Sequence, residues 1–140
     1  MRFWDSSALV PLLLDEPRTV RARGILAEDP DMVVWWASPV ECASAFSRLR
    51  REGTVSRRDE GVLVRRLEEL RSRCHEMVPG DQVRTQAMRV LRLHPLRSAD
   101  ALQLAAAIEW VGAPSGGTLV TFDERLASAA EAEGFVVEGL

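Results

Sequence analysis

Short apolar segments alternate along the chain with longer segments of helical periodicity. The short segments, rich in β-branched and aromatic residues, predict strands at residues 1–5, 32–36, 75–78, 118–122 and 135–137. The longer segments predict helices at residues 8–14, 18–28, 38–52, 56–73, 81–93, 97–110 and 123–133. Residues 114–117, Pro-Ser-Gly-Gly, predict a loop before the fourth strand. Because helices separate the strands, the pattern predicts an α/β fold with a parallel sheet covered on both faces.

Several predicted helix starts carry residues that cap helices. Ser6 and Ser7 offer hydroxyl groups to the first helix, and Pro11 lies close to its first turn, where a missing N–H costs least. Residues 38–41, Ser-Pro-Val-Glu, predict a capping box with proline at the first helical position. Ser98 is the predicted N-cap of the sixth helix, over 97–110.

The composition is typical of a soluble globular protein. The chain has 140 residues, 46% of them hydrophobic and 28% charged, which predicts one domain over residues 1–140. No apolar run reaches the roughly 18 residues that cross a bilayer, and the acidic residue at position 5 comes too early for a signal peptide. Cys42 and Cys74 are too few for a disulfide framework, so a cytoplasmic location is predicted.

The charged residues are unusual in kind and in distribution. All 18 basic residues are arginine, which excludes mechanisms that need a catalytic lysine. The net charge of −3 weighs against a simple phosphate-binding surface. Residues 48–73 nevertheless hold nine arginines and five acidic residues, so this segment is locally basic.

The helix over 97–110 raises a specific question about Asp100. With 3.6 residues per turn, Asp100 shares a helix face with Leu104, Ala107 and Ile108, the face expected to be buried. An unpaired buried carboxylate is costly. Asp100 therefore either serves the helix start or meets a positive group that the chain itself does not supply.

Four acidic residues occupy comparable places in the predicted layout. Asp5 ends the first strand, Asp123 ends the fourth, and Glu41 and Asp100 lie in the first turns of helices. Each has a purely structural explanation as a helix cap or a partner of the helix dipole. That explanation is favoured for Glu41 and Asp123 taken singly, whereas the apolar surroundings of Asp5 and Asp100 leave the two interpretations nearly balanced.

Taken together, the four acids favour a metal site. If the first and fourth strands are neighbours, Asp5 and Asp123 lie side by side at the carboxyl edge of the sheet, where sites form in such folds. Two carboxylates about 5 Å apart repel by roughly 3 kcal/mol at an effective dielectric constant of 20. A hard divalent cation with oxygen ligands, Mg²⁺ or Mn²⁺, relieves this repulsion. Such an ion polarises a phosphate and activates water, the chemistry of phosphodiester hydrolysis.

The sequence resembles PIN-domain ribonucleases, and most closely the VapC-type toxins of bacterial toxin–antitoxin pairs. The resemblance rests on D-S-S-A-L-V at 5–10, P-V-E-C-A-S-A at 39–45, L-R-S-A-D-A-L-Q-L-A at 96–105 and L-V-T-F-D-E-R-L at 119–126. The third and fourth motifs are specific, the first moderately so, and the second is weak alone. The resemblance implies a three-layer α/β/α sandwich in which the first strand lies beside the fourth.

The resemblance also implies an activity and a set of partners. It implies Mg²⁺-dependent cleavage of RNA, with Asp5 and Asp100 as the principal metal ligands and Mn²⁺ as a possible substitute. Glu41 and Asp123 would complete an acidic quartet that orients waters or holds a second ion. Thr121 and Ser6 resemble supporting hydrogen-bonding groups. The implied partners are an RNA substrate, a cognate VapB-type antitoxin and a second copy of the chain in a homodimer.

Other interpretations stay open at this stage. A non-catalytic PIN-like module that binds RNA or protein, or a free-standing RNA-processing nuclease, fits the same motifs. A receiver-type phosphoacceptor or a haloacid-dehalogenase phosphatase fits poorly, because both need a lysine and further acids near Asp5. The basic segment 48–73 either guides RNA or, as the spacing favours, is a solvated helix face with ion pairs such as Arg65–Glu69. Trp35, Trp36 and Trp110 are expected in the core rather than stacked on bases.

Overall fold

The structure, a computed structural model, describes residues 1–112 and 116–140, so part of the predicted loop at 114–117 lies outside the described residues. The strands are β1 (Arg2–Trp4), β2 (Met32–Trp35), β3 (His75–Met77), β4 (Thr118–Thr121) and β5 (Val136–Gly139). The helices are α1 (Ser6–Leu13), α2 (Thr19–Glu28), α3 (Ser38–Arg51), α4 (Arg57–Arg71), α5 (Asp81–Leu93), α6 (Ser98–Val111) and α7 (Glu124–Ala132). Each predicted strand and helix is present, with ends that differ by at most two residues.

The strands form one parallel sheet in the order β3-β2-β1-β4-β5. In the register of the central strand, Trp4 lies opposite Val34 on one side and Val120 on the other. The chain progresses outward from β1 to β3 and then returns to start again at β4, so the strand order reverses between β1 and β4. A crevice at the carboxyl ends of two such strands is the usual place for a site in an open α/β sheet.

Helices cover both faces of the sheet, because successive strand residues point to opposite sides. Phe3 packs in a core with α5, α6 and α7, whereas Trp4 packs in a second core with α1 to α4. Both side chains are fully buried. This arrangement confirms the prediction of a three-layer α/β/α sandwich around a parallel sheet.

The alanine-rich helix α6 packs directly on the sheet. Its residues Leu104, Ala105, Ala106 and Ala107 are all fully buried. Small side chains bring the helix axis close to the sheet, and this places the first turn of α6 beside the carboxyl edge of β1 and β4. Gly112 ends the helix with a φ of 65°, in the left-handed conformation that favours glycine.

The start of α1 differs from the predicted serine cap. Asp5 is the N-cap, and its side chain accepts a hydrogen bond from the backbone N–H of Ser7. Ser6 and Ser7 lie inside the helix and direct their hydroxyl groups to other partners. Pro11 is also inside the helix, beyond the first turn, where its ring is buried and the short helix ends after Leu13.

The predicted capping box at 38–41 and the predicted Ser98 cap are both wrong. Ala37 is the N-cap of α3 and makes no side-chain capping bond. The hydroxyl of Ser38 is fully buried and bonds to Gln103 instead, which removes it from the helix end. Arg97 occupies the N-cap position of α6, so Ser98 is already helical.

The basic segment 48–73 forms the end of α3 and all of α4. A true capping box starts α4, with Ser56 and Asp59 bonding to each other's backbone N–H. The ion pairs here include Arg50–Glu60 between the two helices and Arg71–Glu68 within α4. The predicted Arg65–Glu69 pair is not among those within 4.0 Å in the described residues.

Burial decides the expectation that three tryptophans lie in the core. Trp35 is only 4% exposed and lies in the core, Trp110 packs against the same core, and Trp36 is 52% exposed. The core interpretation is therefore correct for two of the three tryptophans.

Among the helices of the described residues, none combines the length and the hydrophobicity needed to cross a membrane.

Candidate active site

Asp5 is held at the carboxyl end of β1 by its neighbours in β4 and α1. Its Oδ2 accepts hydrogen bonds from the backbone N–H of Ser7 at 3.1 Å, from the Ser7 hydroxyl and from Thr121 Oγ1 at 3.0 Å. The side-chain contact of its Oδ1 within the described residues is a long one, 3.4 Å, with Ser6 Oγ. One oxygen of this buried carboxylate is thus saturated with donors while the other keeps its capacity for a ligand.

Further hydrogen bonds join the ends of β1 and β4. The backbone N–H of Asp5 donates to Val120 O, and the N–H of Phe122 donates to Ser7 Oγ. Thr121 Oγ1 also accepts from the N–H of Asp123 at 3.0 Å. The Thr121 hydroxyl therefore positions two predicted site residues. It donates a hydrogen bond to the carboxylate of Asp5 and accepts one from the backbone N–H of Asp123.

Glu41 faces Asp5 from the first turn of α3. Ser6 Oγ donates to Glu41 Oε2 at 2.8 Å, and Gln103 Nε2 donates to Glu41 Oε1 at 3.1 Å. Gln103 is fully buried and also donates to Ser38 Oγ at 2.9 Å. Glu41 is thus clamped between α1 and α6 instead of closing the capping box that its spacing suggested.

Asp123 and Asp100 complete the acidic set. Asp123 Oδ1 accepts hydrogen bonds from the backbone N–H groups of Arg125 and Leu126, both at 2.9 Å, so it caps α7 as its position suggested. Asp100 is half-buried in the first turn of α6, above the fully buried Leu104. Its carboxyl group lies at the edge of the apolar face and not within it.

The acids raise one another's pKa values. Burial raises the pKa of Glu41 to about 7, against the hydrogen bond from Ser6, and the negative charges of Asp5 and Asp100 add to the rise. Burial also raises the pKa of Asp5, and the donors on its Oδ2 offset this rise only in part. For Asp100, burial raises the pKa and the charges of Asp123 and Asp5 raise it further. The positive charge of Arg97 lowers the pKa of Asp100 but does not cancel the rise.

All four acids line a single cavity. This cavity has a volume of about 310 Å³ and lies beyond the carboxyl ends of β1 and β4. A wider cleft of about 970 Å³ shares Glu41, Asp100 and Asp123 with it. The structure therefore brings together all four residues that the sequence predicted, Asp5, Glu41, Asp100 and Asp123.

Carboxylate oxygens are the donors that a hard divalent ion prefers. Asp5 Oδ1, with its single long contact, and Asp100, whose pKa is raised by burial and by the charges of Asp123 and Asp5, fit such an ion. In the described part of the chain, however, no three His, Cys, Asp or Glu side chains converge closely enough to hold a metal as they stand. The donor set nevertheless fits Mg²⁺ or Mn²⁺ by its chemistry.

Some members of the site were not predicted from the sequence. Gln103 and Ser38 are ordinary helix residues by pattern, and only the packing of α6 against α3 makes them partners of Glu41. Arg18 and Arg48 line the acidic cavity from α2 and α3. The spacing of Gln103, three residues after Asp100, gave a signal, because it places Gln103 about one helical turn further along α6.

The sequence matches the PIN domain family over residues 2–132. The chain belongs to this family, which confirms the family resemblance seen in the motifs. A comparison with curated proteins gives no significant match.

Solved structures with a similar fold include a bacterial toxin and a toxin–antitoxin complex. The toxin VapC20 of Mycobacterium tuberculosis, described as cleaving the sarcin-ricin loop, is 19% identical with a TM-score of 0.69, over 97% of each chain. FitAcB from Neisseria gonorrhoeae is 18% identical with a TM-score of 0.70, over 99% of this chain and 96% of that one. A toxin–antitoxin complex from Klebsiella pneumoniae is 14% identical with a TM-score of 0.65, over 91% of each chain. At these identities the likeness concerns the fold.

Proposed function

We propose that the protein is a Mg²⁺-dependent endoribonuclease and the toxin of a toxin–antitoxin pair. The observation that carries this proposal is the convergence of Asp5, Glu41, Asp100 and Asp123 on one cavity at the carboxyl ends of β1 and β4. Membership of the PIN domain family supports a nuclease. The toxins among its structural relatives support the role in a toxin–antitoxin pair.

In this proposal Asp5 and Asp100 hold the metal, and Glu41 and Asp123 complete the quartet. When bound, Mg²⁺ supplies a Lewis acid for the substrate phosphate and for water. Asp5 presents Oδ1, because Ser7 and Thr121 occupy its Oδ2. Asp123 keeps Oδ2 for the cavity while Oδ1 caps α7. Mn²⁺ has the same ligand preference and is expected to substitute.

Glu41 is suited to hold and exchange a proton beside the reacting phosphate. A general acid or base works best when its pKa lies near the working pH, and the pKa of Glu41 is raised to about 7. Ser6 and Gln103 fix the two carboxyl oxygens, so the proton exchanges at a defined position. The crevice thus has oxygen ligands for a cation and a titratable group adjacent to them.

The partners follow from the same proposal. RNA is the substrate, and a VapB-type antitoxin is the inhibitor, in line with relatives solved as toxin–antitoxin complexes and with FitAB bound to a DNA fragment. A homodimer and a cytoplasmic location remain predictions from the sequence. A single domain over residues 1–140 also remains a prediction.

The proposal is tested by neutralising the two principal acids. Asp5→Asn and Asp100→Asn each keep the side-chain volume and remove the charge. We expect each to reduce Mg²⁺-dependent cleavage of a mixture of ribosomal and transfer RNA by more than about 100-fold, since even outer-shell partners of metals contribute about 10- to 100-fold. Circular dichroism is expected to show that both variants stay folded.

Asp81→Asn is the matched control, because Asp81 is exposed in α5 and its ion pair is with Arg84, one turn along the same helix. Cleavage by this variant should equal that of the unaltered protein. Wild-type activity in either site variant, or full activity in EDTA, would contradict the proposal. RNA binding without any cleavage by the unaltered protein would instead favour the non-catalytic module.

A further inference from the structure

Four arginines surround the acidic cavity and its wider cleft. Arg18, Arg48, Arg97 and Arg125 all line the cleft of about 970 Å³ that also contains Glu41, Asp100 and Asp123. We call these four side chains the arginine rim. They come from the starts of α2 and α6, from α3 and from the first turn of α7, and all four are exposed.

The charges of the arginine rim are mostly not used in ion pairs within the protein. Arg2, Arg50, Arg71 and Arg89 form ion pairs with carboxylates. In residues 1–112 and 116–140, by contrast, Arg18, Arg97 and Arg125 have no carboxylate within 4.0 Å, and Arg48 reaches Glu52 only at 4.0 Å. The rim arginines therefore keep their donors although several acids lie in the same cleft.

Arg18 is oriented by an aromatic ring at the mouth of the cleft. Its guanidinium carbon lies 5.2 Å from the centroid of the Phe122 ring, a cation–π geometry. Phe122 is buried and stands between Thr121 and Asp123. The ring positions the guanidinium without consuming its N–H donors, which remain available to an anion.

We propose that the arginine rim binds the backbone phosphates on either side of the cleaved bond in an RNA strand. This inference rests on the proposed function and adds the residues that hold the substrate. An acidic cavity repels a phosphodiester until a cation neutralises it, and the surrounding guanidiniums supply the positive charge that positions the flanking phosphates. Contacts of this type do not distinguish base sequence, so they favour a polyanionic strand in general.

The location of the rim argues against the basic helix α4 as the main RNA contact. Arg57, Arg58, Arg65 and Arg66 are exposed on α4, yet none of them lines the cleft or the acidic cavity. An RNA strand that reaches the four acids enters a cleft that the arginine rim lines. The α4 arginines are then free to contribute to solubility or to pairing within the helix.

The test measures RNA binding as a function of salt concentration. A fluorescently labelled single-stranded RNA is titrated with the protein in EDTA, which prevents cleavage. Two double variants, Arg18→Gln with Arg48→Gln and Arg97→Gln with Arg125→Gln, are compared with their quadruple combination. Each lost phosphate contact should reduce the slope of log K against log salt by about 0.7 for a single strand, so the quadruple variant should show the largest loss.

The control variant carries Arg57→Gln, Arg58→Gln, Arg65→Gln and Arg66→Gln on α4. It removes the same charge from the protein and should keep the wild-type slope. Melting temperatures of all variants show whether each is folded. If the α4 variant loses the slope and the rim variants do not, the inference is wrong and α4 is the RNA path.

A competitor separates the inference from its closest alternative. Guanidinium groups also bind carboxylates, so polyglutamate is titrated against the labelled RNA. Weak competition by polyglutamate supports the phosphate assignment, whereas equal competition would overturn it in favour of an acidic peptide.

Cleavage assayed in Mg²⁺ keeps the two proposals distinct. If the unaltered protein cleaves RNA but the rim variants keep the wild-type slope, the rim inference alone fails. If the unaltered protein binds through the rim and does not cleave, the rim inference holds and the proposed function fails. If the unaltered protein neither binds nor cleaves RNA, both are overturned.

Discussion

At the scale of single residues, capping a helix and lining the candidate site are compatible roles. Asp5 caps α1 through Oδ2 and Asp123 caps α7 through Oδ1, and both line the acidic cavity. A carboxylate has two oxygens, so one can bond to backbone N–H groups while the other faces a ligand. The cap also fixes the side chain, which prepares the second oxygen for coordination at little entropic cost.

Thr121→Val tests this link between support and site. Valine matches the shape of threonine but lacks the hydroxyl that bonds to Asp5 Oδ2 and to the N–H of Asp123. Because Thr121 is fully buried, we expect the free energy of unfolding to fall by about 1–3 kcal/mol. RNA cleavage should also fall.

Thr118→Val, at the other end of the same strand, is the matched control for both measurements. Thr118 is only partly buried and lies at the opposite end from the acids. Unfolding in urea should give this variant nearly wild-type stability. An equal effect of the two substitutions would mean that the Thr121 hydroxyl has no special role.

Glu41 gives a prediction about stability and pH. Its folded pKa of about 7 lies above the ordinary glutamate value of 4.5, so the folded state binds its proton more tightly than the unfolded state. The contribution of Glu41 to the free energy of unfolding is therefore fully present below about pH 4.5, and it is lost as the pH rises through about 7. The loss is at most about 3 kcal/mol, and solvent near the partly exposed carboxyl reduces it.

Urea unfolding in EDTA between pH 5 and about pH 8 measures this loss. The pKa values of Asp5 and Asp100 are shifted in the same direction and steepen the decline. Glu41→Gln cannot ionise and should flatten the profile. Glu69→Gln, an exposed position on α4, should leave the profile as it is. If the free energy of unfolding of the wild type did not change with pH across this range, the raised pKa values would be contradicted.

At the scale of helices and strands, the link between β4 and β5 depends on Gly139. Its φ is +122°, and a Cβ atom there would lie 2.3 Å from Thr121 O. Gly139→Ala should therefore destabilise the protein by more than about 1 kcal/mol. It should also disturb Thr121 and, through it, Asp5.

Gly24→Ala is the control, with the opposite expected sign. Gly24 is exposed within α2, and a Cβ atom there meets nothing within 4 Å. Alanine is favoured over glycine inside a helix by about 0.8–1.0 kcal/mol, so thermal unfolding should show a gain. A Gly139→Ala protein as stable as the wild type would show that the end of β5 shifts without cost.

The sequence was more informative about elements than about their ends. Strands were predictable because segment 32–36 is apolar throughout, as strands buried on both faces must be, and segment 118–122 is rich in β-branched and aromatic residues. The capping box at 38–41 failed because its serine lies in the interior, where Gln103 competes for the hydroxyl. Sequence spacing describes neighbours along a helix and contains nothing about a partner 65 positions away.

At the scale of the whole molecule, the sheet order determines what the sequence could predict about the site. The four acids follow strands or start helices at one edge, so their convergence follows from β1 lying beside β4. The sheet order does not predict the arginine rim in the same way, because its members are isolated arginines in four segments of an arginine-rich chain. Only the three-dimensional arrangement separates them from the arginines of α4.

The charge arrangement gives a final prediction about metal binding that does not depend on catalysis. Mg²⁺ that binds only the folded protein stabilises it by about 2.7 kcal/mol when its concentration is 100 times Kd. The melting temperature measured at pH 8 should therefore rise with added Mg²⁺ or Mn²⁺. Asp100→Asn removes one predicted ligand and one source of repulsion, so it should melt higher than the wild type in EDTA and gain less from the metal.

Asp100→Asn is thus expected to change the melting temperature in EDTA and the gain in melting temperature with metal, for different reasons. Together the two changes distinguish a metal site from an acid with a purely structural role. A cap or dipole partner would lose stability on neutralisation and leave the response to Mg²⁺ unchanged. Asp81→Asn, at the exposed start of α5, should behave in that second way. If Asp100→Asn does the same, the acids are helix caps that happen to share a cavity, and repulsion among them is too weak to attract a cation.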